Sequence, residues 1–280
     1  MRIINSEIIT GAVEKLCIEA NCYLPDDIRC ALDKAYKIEE KQIAKQILTD
    51  IIDNYKIAEN ENVPVCQDTG MAIFFVKIGN NVFVEGKNIT DAINEGVKNG
   101  YINGYLRCSV VSDPLERKNT NDNTPSVIHY EFVDGDNIEI TIAPKGFGSE
   151  NMSAVKMLKP SDGEEGVKNF VLETVKKASS NPCPPIVVGV GIGGSFEKCA
   201  ILAKKALARR IDTSNENSYY ANLEAELLEK INALGIGPSG LGGNTTALGV
   251  NIETYPTHIA GLPVAVNISC HVTRHKTIIL

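Results

Sequence analysis

Apolar residues recur three and four positions apart through residues 6–60, in "SEIITGAVEKLCIEA", "PDDIRCALDKAYK" and "EEKQIAKQILTDIIDNYKIAEN". That spacing gathers them on one face of a 3.6-residue helix, so the stretch reads as helices that each bury one side. Pro25 with two aspartates behind it suits a helix start, where the missing proline N–H costs nothing. After residue 70 the period shortens. "MAIFFVKIG" and "NNVFVEG" predict strands joined through a Gly-Asn-Asn turn, and residues 90–104 return to helical spacing. "SVIHYEFVDGDNIEITIAPKG" alternates in two runs around Asp-Gly-Asp and predicts a hairpin. Residues 164–179, "SFEKCAILAKKALARR" and "YANLEAELLEKINALG" predict helices, and "PPIVVGVGIGG" a buried strand; "TTALGVNIETYP" and "LPVAVNISCHV" are strand-like. Helices come first and mixed elements follow. The expected class is α+β: a helical part over 1–60 packed on a mixed β-sheet with helices over 61–280, together one domain.

Composition narrows the function. A chain of 280 residues buries a sizeable core without disulfides, and 43% hydrophobic with 22% charged residues is a globular balance. The 28 basic residues are outnumbered by 35 acidic ones, a net charge of -7, which argues against a nucleic-acid partner. The start "MRIINSEIITGAVEKL" lacks the apolar core and small-residue cleavage site of a signal peptide, and no apolar run reaches membrane-spanning length. The expected setting is cytoplasmic, with no membrane partner.

In that compartment eight cysteines are not a disulfide framework. Cys17, Cys22, Cys30 and Cys199 fall in helical patterns and read as small buried apolar residues. Cys66, Cys183 and Cys270 differ. Cys66 sits in "NVPVCQDTG", Cys183 between prolines in "NPCPPI", and Cys270 in "VNISCHVTRH" with His271, Arg274 and His275 behind it. Breakers hold a thiol outside regular structure, and neighbouring cations favour its thiolate, the form that binds metal or attacks. Thiolates bind iron–sulfur clusters, and a cubane held by three leaves one iron open to a substrate oxygen. Zinc more usually takes closer ligand pairs or histidines.

"GVGIGG" satisfies G-x-G-x-x-G with Gly189, Gly191 and Gly194, between a strand and a helix, as an NAD-binding oxidoreductase would. Asp212 lies at about the right distance for the ribose-binding acid but sits in the polar stretch "RIDTSNENS", with no second strand before it. The competing explanation is a strand-to-helix turn whose glycines allow close packing.

The stretches "PVCQDTG", "KGFGSENMS", "NPCPPIVVGVGIGGSFEKCAILAKKAL" and "GPSGLGGNTTALGVNIETYPTHIAGLPVAVNISCHVTRH" resemble the α subunit of class I fumarate hydratase. That family includes the α subunit of L(+)-tartrate dehydratase and the N-terminal domain of single-chain iron–sulfur fumarases, and the resemblance runs from about residue 5 to 280. It implies a [4Fe–4S] cluster on Cys66, Cys183 and Cys270. It implies that Gln67, Asp68, Arg107 of "YLRCS" and Gly148 contact a C4 dicarboxylate, with His258 of "PTHIAG" as the site histidine; Asp68, beside the expected cluster ligand in the Cys-Gln-Asp triplet, is the local candidate for proton transfer. Lys145 reads equally as a ligand-facing cation or a solvated one. Asn244 stands where several fumarases carry lysine and where tartrate-type enzymes also show Gly-Asn, whereas "KGFGSENMS" and "PTHIAGLPVAVN" resemble the fumarase branch. The implied reaction is reversible hydration of fumarate to (S)-malate. Further arginines, a lysine and a serine–glycine–threonine element that the resemblance implies do not follow Leu280. The expectation is therefore an αβ heteromer or larger, inactive without its β subunit.

Overall fold

The computed structural model describes residues 1–280. In chain order the elements are β1 (Arg2–Asn5), α1 (Ser6–Cys22), α2 (Asp26–Ile38), α3 (Gln42–Glu61), β2 (Ile73–Gly79), β3 (Val82–Glu85) and α4 (Ile89–Asn103). Next come β4 (Val127–Val133), β5 (Ile138–Ile142), α5 (Phe147–Glu150), β6 (Ala154–Leu158), α6 (Gly163–Ala178) and β7 (Ile186–Gly193). The last are α7 (Phe196–Leu207), α8 (Ser218–Asn232), β8 (Ala247–Tyr255), β9 (Leu262–Ser269) and β10 (Lys276–Ile279). This is an α+β chain with mixed sheets. It divides into two compact units, Met1–Pro25 with Tyr55–Phe147 and Arg274–Leu280, and Asp26–Asn54 with Gly148–Thr273. The three expected N-terminal helices are all present, but α1 belongs to the first unit, α2 to the second, and α3 begins in the second and ends in the first.

In the first unit a four-stranded sheet runs β10-β5-β2-β4, and β1 pairs in parallel with β3. Helices α1 and α4 close over the sheet: Ile9, Val13 and Leu16 join Ile93, Val97 and Tyr101 against Phe74, Val76 and the inward isoleucines of β5. The side-chain oxygens of Asn5 and Asn88 accept the N–H groups of Glu7 and Asp91, capping the two helices. Both expected hairpins are corrected here. β4 and β5 do not pair; β2 lies between them, parallel to β4 and antiparallel to β5. β3 pairs with β1 and not with β2. The reason is burial. β2 is the more deeply buried strand and takes a central place, while β4, which has no buried residue, takes the edge. The turn amides of Gly79, Asn80 and Asn81 donate to the carbonyls of Asn137, Val133 and Gly135, so the Asp-Gly-Asp loop wraps the end of β2.

In the second unit the sheet order is β6-β9-β7-β8, with β7 parallel to β8 and antiparallel to β9. All eight residues of β7 are buried. One face carries Ile186, Val188, Val190 and Ile192 into a core with α6 and α8, through Val171, Val175, Leu223 and Leu227. The other face meets α7. A Cβ on Gly189 or Gly191 would land inside the carbonyl oxygens of Ala203 and Cys199 on that helix. Packing therefore accounts for both glycines. Gly191→Ala should cost roughly 1–3 kcal/mol, since neither backbone can retreat cheaply. A thermal melt of the full chain checks it, and an unchanged midpoint would show that α7 is free to shift.

Candidate active site

Cys66 lies in an irregular turn between α3 and β2. Its thiol is half-buried and donates to Gln67 Oε1 at 3.7 Å, while Gln67 itself is exposed. Asp68 is fixed by both carboxylate oxygens: Oδ1 accepts the Gly70 N–H at 3.1 Å, and Oδ2 accepts the Phe147 N–H at 3.0 Å. Gly70 has φ +73°, and a Cβ there would lie 2.5 Å from the Lys145 carbonyl carbon, so this corner admits only glycine. Thr69 Oγ1 donates to the Arg107 carbonyl at 3.1 Å and accepts the Arg107 N–H at 3.0 Å. That reciprocal pair brings the exposed Arg107 beside the Cys66 turn. The buried Asn123 accepts the N–H groups of Ser109 and Val110 and donates to the Gly70 carbonyl, tying the loop that carries Arg107 to the same turn.

From behind, the buried Arg274 donates through Nη2 to the Asp68 carbonyl and through Nη1 to Asn21 Oδ1, each at 2.9 Å. Tyr101 donates its hydroxyl to the carbonyls of Thr69 and Gly70, and burial pushes its ionisation up, so it stays a donor. Lys145 is only 4% exposed, which removes the solvated alternative; its Nζ donates to the Gly146 carbonyl at 3.3 Å.

The second unit carries the other sequence-predicted residues. Cys183 precedes β7 on irregular backbone with φ 55°, a left-handed conformation costly for a non-glycine residue and typical of functional turns. Cys270 directly follows β9. The two are neighbours: the His271 N–H and ring Nδ1 both reach the Cys183 carbonyl, at 3.4 and 2.9 Å, and Nδ1 is the donor because the carbonyl only accepts. Gly148 is exposed in α5, and a Cβ there would meet nothing within 4 Å, so packing does not demand a glycine. His258 is exposed between β8 and β9, its Nδ1 accepting the Ala260 N–H at 3.2 Å.

None of the eight cysteines is in a disulfide. Cys17, Cys22 and Cys199 are buried, and burial pushes their thiols up, as fits inert packing. Cys30 is the exception to the buried reading, being exposed on α2. Cys66, Cys183 and Cys270 are all at least partly exposed and on irregular backbone, so in donor chemistry and access they fit an iron–sulfur cluster. No three His, Cys, Asp or Glu side chains gather tightly enough to hold a single metal ion. A cubane asks for something different, because its protein ligands bind different irons.

The remaining signals resolve locally. Asp212 pairs with Arg210 in the turn between α7 and α8 and closes no strand, so the dinucleotide fingerprint lacks its acid. Asn244 donates its side-chain amide to the Ile38 carbonyl and its N–H to Glu39 Oε2, holding the end of α2. That local task accounts for the residue without reference to substrate. Sequence reasoning does not reach Asn21, Asn123 or Arg274 as site residues. Arg274 alone leaves a trace in sequence, as one of the cations behind Cys270.

Residues 10–279 match the family model described as fumarate hydratase (Fumerase). A Methanocaldococcus jannaschii protein provisionally named L(+)-tartrate dehydratase subunit alpha is 52% identical over 272 residues, 95% of each chain. The L(+)-tartrate dehydratase subunit alpha of Escherichia coli O157:H7 is 37% identical over 275 residues, 97% of this chain and 90% of that one. Its counterpart in strain K12 is 36% identical over the same length. The stretches bearing the fixed Asp68 turn and the Cys183–Cys270 pair both lie inside the matched span, and the chain belongs to the fumarate hydratase family.

Proposed function

We propose that the chain is the α subunit of an iron–sulfur hydro-lyase, adding water reversibly to fumarate to give (S)-malate together with a separate β subunit. The observation that carries this reading is Asp68: a half-buried carboxylate held by two backbone N–H groups, two residues from an accessible thiol. Family membership and the relatives' names as alpha subunits support it. Cys66, Cys183 and Cys270 would hold a [4Fe–4S] cluster. When bound, such a cluster supplies a Lewis acid that makes hydroxide a tolerable leaving group.

The chain's own residues bind and orient the dicarboxylate and move a proton. Arg107 pairs through its guanidinium with one substrate carboxylate, a geometry that a planar fork serves better than an ammonium. The amide of Gln67 orients the substrate, and the uncovered backbone at Gly148 admits a carboxylate where a side chain would stand. Asp68 transfers a proton at its carboxylate, whose oxygens each keep a lone pair beyond the one accepting backbone N–H. His258 orients the substrate or relays that proton. The proposed setting is cytoplasmic; no helix of the chain is long and apolar enough to cross a membrane.

A second reading, dehydration of L(+)-tartrate, is favoured by the names of the relatives. Anaerobic co-purification with the β subunit, iron and sulfide analysis, and an assay on both substrates separate the two. The expected kcat/KM for dehydration of (S)-malate, the hydrated form of fumarate, exceeds that for L(+)-tartrate, which adds one hydroxyl to it, by at least about tenfold, within the roughly hundredfold that one added hydroxyl is worth in discrimination. The reverse order would select the tartrate reading. Turnover by the isolated chain would remove the β subunit from the mechanism.

A further inference from the structure

Arg274 and Asn21 grip the Cys66 turn from both ends, and neither has a part in the reaction described so far. The Asn21 backbone carbonyl accepts the Val65 N–H at 2.9 Å, one residue before Cys66. The Asn21 side chain takes one arm of Arg274, and the other arm of Arg274 holds the Asp68 carbonyl, two residues after Cys66. Both gripping residues are buried, Asn21 completely and Arg274 to 4% exposure. Asn21 is itself anchored, donating to the Cys17 carbonyl at 2.9 Å on α1.

The charge of Arg274 makes the arrangement costly as mere packing. Its hydrogen bonds end on a neutral amide and a neutral carbonyl, it forms no ion pair, and its Nε has no partner at all. A buried guanidinium without a carboxylate is expensive unless an anion compensates it. By contrast, the half-buried Arg209 of the second unit sits against Glu224 and Glu253. An unneutralised cation directly behind a turn that presents a thiol and a carboxylate points toward the anions that the turn collects.

We propose that Arg274 and Asn21 form a positioning clamp, in which Arg274 fixes the Cys66–Gln67–Asp68 backbone and supplies the positive charge that an anionic occupant of this turn balances. This rests on the hydro-lyase reading for the identity of the occupant but not for the clamp itself. Arg274 touches no reacting atom; it acts through Asp68 and Cys66.

Two variants of the full chain test it, Arg274→Lys, which keeps the charge but loses the two-armed reach, and Asn21→Ala, which removes the anchor. In the apo chain, hydrogen–deuterium exchange of the peptide covering 62–70 should accelerate at least about tenfold in both, with the β7 peptide 186–193 unchanged. In the anaerobic αβ complex, kcat per iron should fall by about 10–100-fold for Arg274→Lys, the range for losing a residue behind a metal ligand. Its melting midpoint should move only a few degrees. Wild-type exchange at 62–70 in both variants overturns the clamp, and a wild-type kcat in Arg274→Lys overturns its part in the reaction. If Arg274→Lys does not fold, the exchange and turnover of Asn21→Ala decide alone. A wild-type complex without iron or hydratase activity would instead defeat the hydro-lyase reading, while the exchange rates would still decide for or against the clamp.

Discussion

Asp68→Asn in the anaerobic αβ complex should lower kcat by about 10²–10⁴-fold, the usual worth of one positioned proton-transfer group. Its cluster absorbance should persist, because no thiol is touched. The variant also carries a structural penalty. Asp68 accepts the N–H of Gly70 on one oxygen and of Phe147 on the other, and an asparagine has a single acceptor oxygen. One backbone donor is then left facing an NH2 group, at a cost of about 1–3 kcal/mol in a half-buried place. Melting the variant reads that penalty, and turnover normalised to iron content reads the chemistry. Asp68→Ala loses both acceptors, so it should melt lower than Asp68→Asn while losing no more turnover per iron. If turnover tracks the loss of stability through the pair, Asp68 is a staple between the Cys66 turn and the start of α5 and nothing more. A kcat for Asp68→Asn within about threefold of wild type would remove it from proton transfer.

How much of this was legible in the sequence depends on the range of the interaction. Helices announced themselves by local period, and α1, α2, α3, α6, α7 and α8 fall where that period lies. Strand positions were legible too, but strand partners were not. The alternation of β4 and β5 says which side chains face a core, not which strand lies beside them, and the more deeply buried β2 displaced the shorter-range pairing. The same limit explains β1, β6 and β10, each only four or five residues long and defined by partners distant in the chain.

The candidate site divides in the same way. Residues whose chemistry is carried by their own type and neighbours were visible: Cys66 among breakers, Cys183 between prolines, Cys270 at a strand end. The Cys183–His271 contact spans 88 positions and the Arg274–Asp68 contact 206, distances over which a sequence offers no period to read. Lys145 shows the other failure. Its burial is decided by the antiparallel bridge between Met71 and Lys145, not by anything in "APKGFG".

Cys183→Ser and Cys270→Ser should each abolish cluster retention and reduce turnover by more than the roughly 10–100-fold that losing a residue behind a ligand produces. A serine hydroxyl is far too weak an acid to replace a thiolate on iron. Cys270→Ser leaves the β9 backbone unaltered, and Cys183→Ser keeps the left-handed backbone at no greater strain, so neither should unfold the chain. Cys30→Ser is the matched control, an exposed thiol on α2 whose loss should leave iron content and turnover unchanged. The reading also requires Cys66 as the third ligand. Cys66→Ser must then give the same iron deficit as the other two. Equal loss from all three and none from Cys30 is the expected pattern, measured as iron and sulfide per αβ complex. Full iron content in any one of the three variants would take that sulfur out of the ligand set, and with it the cluster as proposed.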